Sequence, residues 1–455
     1  MRKPHIVLYN PRAPFFTMPL ALMAVGSALD RSRYDVTIVD GRIERDPIAR
    51  ALDATAGALC LGVSVLTGVP IRDALAVTRA VRARHPQCRI VWGGWHPSLF
   101  PHETLREAGV DAVVVGQGED VFAEIVERFA AGETAPGVAG PRPTRDINDF
   151  PEHDYGLIPV ERYFALKRER QLDYITSQGC RFRCTFCADP TVYGRSWFGL
   201  EPVRVATELE QLWHRHRFTD VGFQDETFFT HANRVAAIAD EIRQRDLHFT
   251  WMATMRGDQG ARLDDNILLA CRHAGLRRVM IGLESGSQEM LDWMKKDLKL
   301  EQVFVTAEKC RRHGIAVLFN LIVGFPDEPP ESIAATLAAA KALRAIGPDF
   351  QIALFYYRPY PGTAITDGLA RRGHALPRSL DEWAAMEDAA SVSPWVDAGK
   401  RALVDRFSFY QRIGWARPAP WRAPLQALAR WRCRRDVYNF PIEKTIVEWV
   451  RQVGA

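Results

Sequence analysis

The sequence is short of cysteine, of net charge and of long apolar runs, and each shortage removes a class of protein. Eight cysteines in 455 residues fall far below the density of a secreted disulfide scaffold. A formal charge of +4, from 59 Lys+Arg against 55 Asp+Glu, leaves no footprint for a polyanion, so no nucleic acid is expected as partner. No apolar run reaches the roughly 18 residues of a spanning helix. The longest candidate, residues 19–29, is rich in small residues and reads as a buried helix. After Met1-Arg-Lys-Pro-His5 the apolar stretch Ile6-Val-Leu-Tyr9 stops at Asn10-Pro11, too short for a secretory core of about 7–15 residues. The expected compartment is therefore cytoplasmic, with reduced thiols. Apolar content of 47% and charged content of 25% are those of a globular chain, and the length suits two to four domains.

What is present is an alternation. Over 1–135, short β-rich runs (6–9, 36–39, 58–64, 89–92, 112–115) separate helical patterns (20–29, 71–84, 122–131). That order predicts a doubly wound, Rossmann-like α/β domain with a parallel sheet, whose ligand sits at the carboxyl ends of the strands. Those ends carry Asn10-Pro11, Ser64-Val-Leu66, Gly93-Gly94-Trp95-His96 and Gly116-Gln-Gly118-Glu119. Residues 136–168 are punctuated by Gly and Pro and read as a linker. Over 169–375 a second alternation supplies six strand candidates (173–176, 220–224, 249–253, 278–282, 317–323, 351–354) with helices between them. Six βα repeats fit a partial barrel with its chemistry at the strand ends. From 376 to 455 the pattern becomes helical.

Three of the eight cysteines lie within eight residues, in Gly179-Cys180-Arg-Phe-Arg-Cys184-Thr-Phe-Cys187. Closely spaced thiolates on one loop can hold an iron–sulfur cluster, and three ligands for four irons leave one iron open. Buried structural thiols and zinc are the alternatives. A structural zinc site wants four ligands, however, and no further Cys or His follows at the usual spacing. Cys-x3-Cys-x2-Cys, with aromatic Phe186 before the last cysteine, resembles the signature of radical S-adenosylmethionine (SAM) enzymes. Gly222-Phe-Gln-Asp-Glu-Thr-Phe-Phe229, Gly282-Leu-Glu-Ser-Gly-Ser287, Asn320-Leu-Ile-Val-Gly-Phe-Pro326 and Tyr360-Pro-Gly-Thr363 resemble, in order, that family's later strand-end segments. The resemblance implies that Cys180, Cys184 and Cys187 hold a four-iron four-sulfur cluster whose open iron chelates SAM. It also implies cleavage of SAM to a 5′-deoxyadenosyl radical, which must be kept from solvent. Phe186, Glu284 and Ser287 become candidate SAM contacts, and Asp225 and Glu226 candidates for the wall near its amine; capping or solvation of a strand end is the alternative for each carboxylate and hydroxyl. Arg256 is read either as a bidentate partner of a carboxylate or as a solvated surface residue.

The first domain resembles the cobalamin-binding domain of one branch of the same enzymes. Ser64 and Leu66 match a Ser-x-Leu element, Gly93 and Gly94 the paired glycines, Gly116 the last loop, and Ile147-Asn-Asp-Phe-Pro151 the bridge between the domains. One departure is plain. Asp-x-His-x-x-Gly, whose histidine binds cobalt in other cobalamin proteins, is replaced by Asn10-Pro-Arg-Ala-Pro-Phe-Phe16. The implied cobalamin therefore has no histidine lower ligand. His96 is weighed as packed in its loop rather than as a ligand, and Cys60, Cys88, Cys271, Cys310 and Cys433 as core or surface residues without chemistry.

Residues 400–455 carry twelve Lys/Arg against four Asp/Glu, with Trp415, Trp421, Trp431 and Trp449 interleaved. They read as a helical cap with snorkelling arginines, peripheral contact with an anionic membrane being the alternative. The expected function is methylation of an unactivated carbon in a small-molecule or lipid-like substrate. The expected electron donor is of the flavodoxin or ferredoxin class. The alternatives are a cobalamin-dependent cyclase or rearrangement enzyme without net methyl transfer, and a non-enzymatic cluster or cobalamin sensor.

Overall fold

A computed structural model describes residues 3–135, 137–386, 395–416 and 420–453, with no side-chain description beyond 447. Arg417 and the side chains of Trp449 and Arg451 thus lie outside the described residues. Fourteen strands are present among those described. They are β1 (His5–Asn10), β2 (Asp35–Asp40), β3 (Cys60–Ser64), β4 (Arg89–Gly93), β5 (Ala112–Val114), β6 (Val138–Ala139), β7 (Gln171–Tyr174), β8 (Ser177–Gly179), β9 (Trp197–Gly199), β10 (Asp220–Phe223), β11 (Thr250–Met255), β12 (Leu276–Glu284), β13 (Ala316–Val323) and β14 (Phe350–Tyr356).

The first sheet is parallel throughout, in the order β2-β1-β3-β4-β5-β6. Both faces are covered, which explains why its strands read as unbroken apolar runs. Along β1 the side chains alternate: Ile6 and Leu8 enter a core continuous with the barrel, while Val7 and Tyr9 enter a second core on the opposite face. The order reverses between β1 and β3, which opens a crevice at the carboxyl ends of those strands. The second sheet, β7-β10-β11-β12-β13-β14, is also parallel, and its edge strands β7 and β14 do not pair. It is the expected partial (β/α)6 barrel.

Two stretches differ from the sequence reading. The stretch read as a linker contributes β6 to the first sheet and a helix, Val160–Lys167. Its Tyr163 donates a hydrogen bond of 2.5 Å to buried Asp40 at the end of β2. Two-residue β6 is too short for periodicity to register. The stretch after 376 is not one unit either. Helix Leu380–Ala385 returns to the first domain, where Trp383 is buried in that domain's second core and Leu380 N–H donates to Glu107. Helices Ala398–Gly414, Ala423–Arg435 and Ile442–Val453 cap the barrel instead. Gln411 donates to Ile352 C=O on β14, Tyr356 bonds Asp405 and Arg344 bonds Trp415 C=O. The cap thus covers the open β14 edge, which would otherwise present unpaired backbone.

Candidate functional site

The cysteine loop is not a simple continuation of β7. It is the end of a separate two-stranded ribbon, β8–β9, in which Gly179 pairs with Trp197 and encloses residues 180–196. Gly179 has φ +88°, and a Cβ there would lie 2.3 Å from Ser196 C=O, so only glycine turns the chain into Cys180. Cys180 and Cys184 are buried and Cys187 is half-buried. Burial pushes the Cys180 thiol up to about 11. Burial, then the charge of Asp189, pushes Cys187 up as well. Binding a metal cluster must therefore expel protons from this loop. Among the described residues no three His, Cys, Asp or Glu side chains form a set for a single metal ion; a cluster instead gives each cysteine its own iron.

Two buried cations stand beside the loop. Arg256, at the end of β11, is 6% exposed, which removes the surface reading. Its guanidinium pairs with Asp258 at 2.9 Å, donates to Lys296 C=O, lies 3.5 Å from the Phe182 ring centroid and reaches within 3.8 Å of Cys184 Sγ. Lys296 is buried and its Nζ lies 2.8 Å from Glu284. Burial works to lower Lys296, but the charge of Glu284 overcomes it and holds the ammonium above its ordinary range. Glu284 takes φ +69° at a bulge in β12. A Cβ on Gly282 would sit 2.2 Å from its Oε1, so the glycine of Gly-Leu-Glu-Ser makes room for this ion pair.

The other candidates separate. Asp225 is consumed by strand-end capping: it accepts from Thr176 N–H at 2.7 Å, from the Thr176 hydroxyl and from the Ser177 hydroxyl at 2.6 Å. Ser287 caps helix Gln288–Trp293 and faces a cavity of about 610 Å³ behind the cysteine loop. Phe186 packs edge-on against Phe325, which in turn stacks on Tyr357 at 4.7 Å. Thus the ends of β13 and β14 reach the cysteine loop. The Thr191 hydroxyl also donates to Gly362 C=O, and Ile365 N–H to Thr185 C=O.

Glu226 differs from its neighbour Asp225. It accepts one long bond, 3.2 Å from Gly179 N–H, and faces a cavity of about 480 Å³ between the two domains. Burial, then the charge of Asp189, pushes its carboxyl up to about 8. Asp189 itself is pushed up to about 6 by burial, and its buried Oδ1 has no hydrogen-bond partner. Two under-solvated carboxyls beside the cysteine loop are a fitting site for a cationic group such as the SAM amine. Asp189 and Lys296 escaped the sequence reading. Asp189 could have been found two residues after Cys187; nothing in the sequence marks Lys296.

The same cavity is walled on its far side by the first sheet. Ser64, Leu66, Gly94 and Trp95 line it together with Phe15, Met18 and Phe150. Ser64 and Gly94 also line a narrower cleft of about 120 Å³, with Gly93, Gly116 and Gly62, between the sheet and helices Leu20–Ala28 and Glu119–Ala130. Missing side chains make this cleft. Gly94 has φ +94° and its Cβ would lie 2.9 Å from Ser64 Oγ; a Cβ on Gly62 would lie 2.9 Å from Leu8 and Phe122. The cleft and the cavity above it fit a cofactor with a slender tail and a broad head, as cobalamin has. His96 contributes to neither space. It is fully buried between Phe100 and Trp383, with Nδ1 3.1 Å from Thr67 Oγ1, and burial pushes it down to about 3. The five remaining cysteines, Cys433 included, are all buried.

Comparisons with known proteins agree with this architecture. Residues 8–126 match the family model described as the B12 binding domain, and residues 174–340 that of the Radical SAM superfamily. An uncharacterized methyltransferase of Pyrococcus horikoshii is 30% identical over 365 residues, which is 76% of this chain and 77% of that protein. The anaerobic magnesium-protoporphyrin IX monomethyl ester cyclase of Rubrivivax gelatinosus is 28% identical over 279 residues, 56% of this chain and 49% of that one. The solved structure of the cobalamin-dependent SAM radical enzyme OxsB, with aqua-cobalamin and SAM bound, superposes with a TM-score of 0.74 over 99% of this chain and 75% of its own, at 16% identity, and so shares the fold. The sensor reading falls with these matches. The chain is an enzyme of the radical SAM superfamily, in the branch that carries an amino-terminal cobalamin-binding domain and works with a four-iron four-sulfur cluster, SAM and cobalamin.

Proposed function

We propose that this enzyme transfers a methyl group to an unactivated carbon of a small-molecule or lipid-like substrate bound between its two domains. The observation that carries this reading is the shared cavity. Glycine-lined strand ends of the first sheet and Glu226 beside the cysteine loop open onto one space of about 480 Å³. Phe15, Met18, Leu20, Leu66, Ile147 and Phe150 supply an apolar wall there, which favours a substrate with a hydrocarbon body.

Cys180, Cys184 and Cys187 are assigned to the cluster. Glu226, with Asp189 behind it, is assigned to the SAM amine, and Ser64, Leu66, Gly93, Gly94 and Gly116 to cobalamin. When bound, the cluster with SAM supplies hydrogen abstraction by a carbon radical, and cobalamin supplies a transferable methyl group. The chain's own part is to position and to exclude water. Glu226 orients a cation, the Phe186–Phe325–Tyr357 stack closes the barrel mouth, and the glycines admit a large group. A one-electron donor of the flavodoxin or ferredoxin class fits the exposed Arg181, Arg183 and Arg195 around the cysteine loop.

Anaerobic reconstitution followed by product analysis tests the reading. Both 5′-deoxyadenosine and S-adenosylhomocysteine are expected during turnover. Deoxyadenosine without S-adenosylhomocysteine points instead to cyclisation or rearrangement. No cleavage of SAM under strong reductant overturns the assignment of the cysteines.

A further inference from the structure

We propose that the last two helices form a docking surface for an anionic lipid bilayer, in which Trp421, Trp431, Phe440, Ile442 and Ile446 enter the interface and Arg422, Arg434 and Arg435 meet the headgroups. Sixteen large apolar side chains are exposed among the described residues, and five fall between 421 and 446. Their exposures are 75%, 50%, 84%, 65% and 55% in that order. Five in about 26 residues is a local enrichment over the eleven spread through the rest of the described residues.

The surface is built, not frayed. Helix Ala423–Arg435 buries Gln426, Ala429, Arg432 and Cys433. Its outward positions Ala427, Trp431, Arg434 and Arg435 recur at spacings of three and four, so they share one face. No carboxylate lies on that face. Arg432 points inward and holds the loop that follows, donating to the carbonyls of Val437, Asn439 and Phe440 and pairing with Glu443 at 2.9 Å. The backbone of Phe440 is thus pinned while its ring stays in solvent. Glu443 also accepts from Tyr410, and Val447 packs on the core. Those contacts fix the inner face of helix Ile442–Val453 and leave Ile442 and Ile446 outward, one turn apart.

Charge selects the occupant. The two carboxylates between 421 and 446 are both engaged, Asp436 by Lys341 and Glu443 by Arg432. Arg422, Arg434 and Arg435 are exposed, and Arg422 lies 4.2 Å over the Trp421 ring. A second copy of the chain would bring like charges together across a two-fold interface. A nucleic acid would use stacking aromatics but has no use for Ile442 and Ile446. Tryptophan, aliphatic side chains and arginine together suit the headgroup boundary of an anionic leaflet. The inference does not rest on the methyl-transfer reading, because binding is measured without turnover.

The test is sedimentation of the full-length, cluster-loaded protein with vesicles of phosphatidylcholine, with and without phosphatidylglycerol. Binding is expected to the phosphatidylglycerol vesicles and to weaken as salt rises from about 0.1 M to about 0.5 M. Arg434→Gln with Arg435→Gln lowers it by about tenfold, and Trp421→Ala with Phe440→Ser by a similar factor. Val203→Ser, an exposed apolar site elsewhere, leaves it unchanged. Unaltered circular dichroism and iron content show that each variant is folded. Failure to sediment with anionic vesicles overturns the proposal, as does binding that ignores both variant pairs. A concentration-dependent dimer abolished by those variants, without vesicle binding, overturns it in favour of self-association.

Discussion

Two six-stranded parallel sheets offer their carboxyl ends to one cavity, and they build their halves of it by opposite means. The first sheet works by omission. Gly62, Gly93, Gly94 and Gly116 leave out side chains, and the resulting cleft is lined by a single carboxyl, that of buried Glu119, with His96 sealed away beside it. The barrel works by charge. Arg256, Lys296, Glu284, Asp189 and Glu226 are all largely buried around three thiols. The contrast teaches that a site for a bulky cofactor can be made from space alone. A site for a redox cluster and a zwitterion must instead hold ionisable groups out of water, two of them paired here (Arg256 with Asp258, Lys296 with Glu284) and two, Asp189 and Glu226, left under-solvated for a cation.

The largest expected effect lies in the barrel. Cys184→Ala should abolish cluster loading and deoxyadenosine formation while cobalamin still binds, as iron content and cofactor retention would report. Cluster retention after that change would break the division between the two halves. Next comes Lys296→Met, which strands Glu284 as a lone buried charge and should cost about 3–5 kcal/mol of stability. Adding Glu284→Gln should recover much of it in a double-mutant cycle of thermal melts. Recovery of nothing would show that the pair acts on something other than stability.

Gly94→Val tests the omission half. The positive φ and the 2.9 Å approaches to Ser64 Oγ and Val65 N should cost about 1–3 kcal/mol and reduce cobalamin retention. SAM cleavage should remain, so deoxyadenosine continues while S-adenosylhomocysteine falls. A smaller effect belongs to Glu226. Its carboxyl rises to about 8 from an ordinary 4.5, so it favours the folded apoprotein below about pH 4.5, and that contribution is lost as pH rises through about 8. Glu226→Gln should flatten the decline of apoprotein melting temperature across that window. An unchanged slope would mean that Glu226 is already ionised in the apoprotein. The smallest effect is that of His96→Phe, which should leave the absorption spectrum of bound cobalamin untouched and shift stability by no more than about 1 kcal/mol. A changed cobalt spectrum would make His96 part of the site after all.

Much of the fold was legible because its signals are local. Buried parallel strands read as short apolar runs, so β1 to β5 and β10 to β14 fall within two or three residues of expectation. The cysteine loop and the glycine pair were legible for the same reason: their spacing lies within a few residues. What escaped was short or distant. Two-residue β6 and the ribbon β8–β9 are too brief for periodicity. Helix Leu380–Ala385 carries no mark that it docks on helix Val69–Arg84 of the first domain instead of on the barrel. Asp225 and Glu226 are adjacent and chemically alike, yet one is spent on Thr176 and Ser177 and the other faces the cavity.

By itself the sequence determined the alternation that builds two parallel sheets, the three cysteines at cluster spacing, the glycines that clear a cleft, and the missing histidine. Tertiary structure alone decided which charges meet. Arg256 reaches Cys184 from 72 residues away, and Lys296 rather than solvent answers Glu284. It also decided that the two sheets share one cavity and that five apolar side chains between 421 and 446 stay outward while others of the tail, such as Phe407 and Tyr410, are buried. The physical reason is common to all of these. Propensity and spacing act over a turn or a strand, whereas the pairing of buried ions and the closing of cavities depend on which distant surfaces pack together.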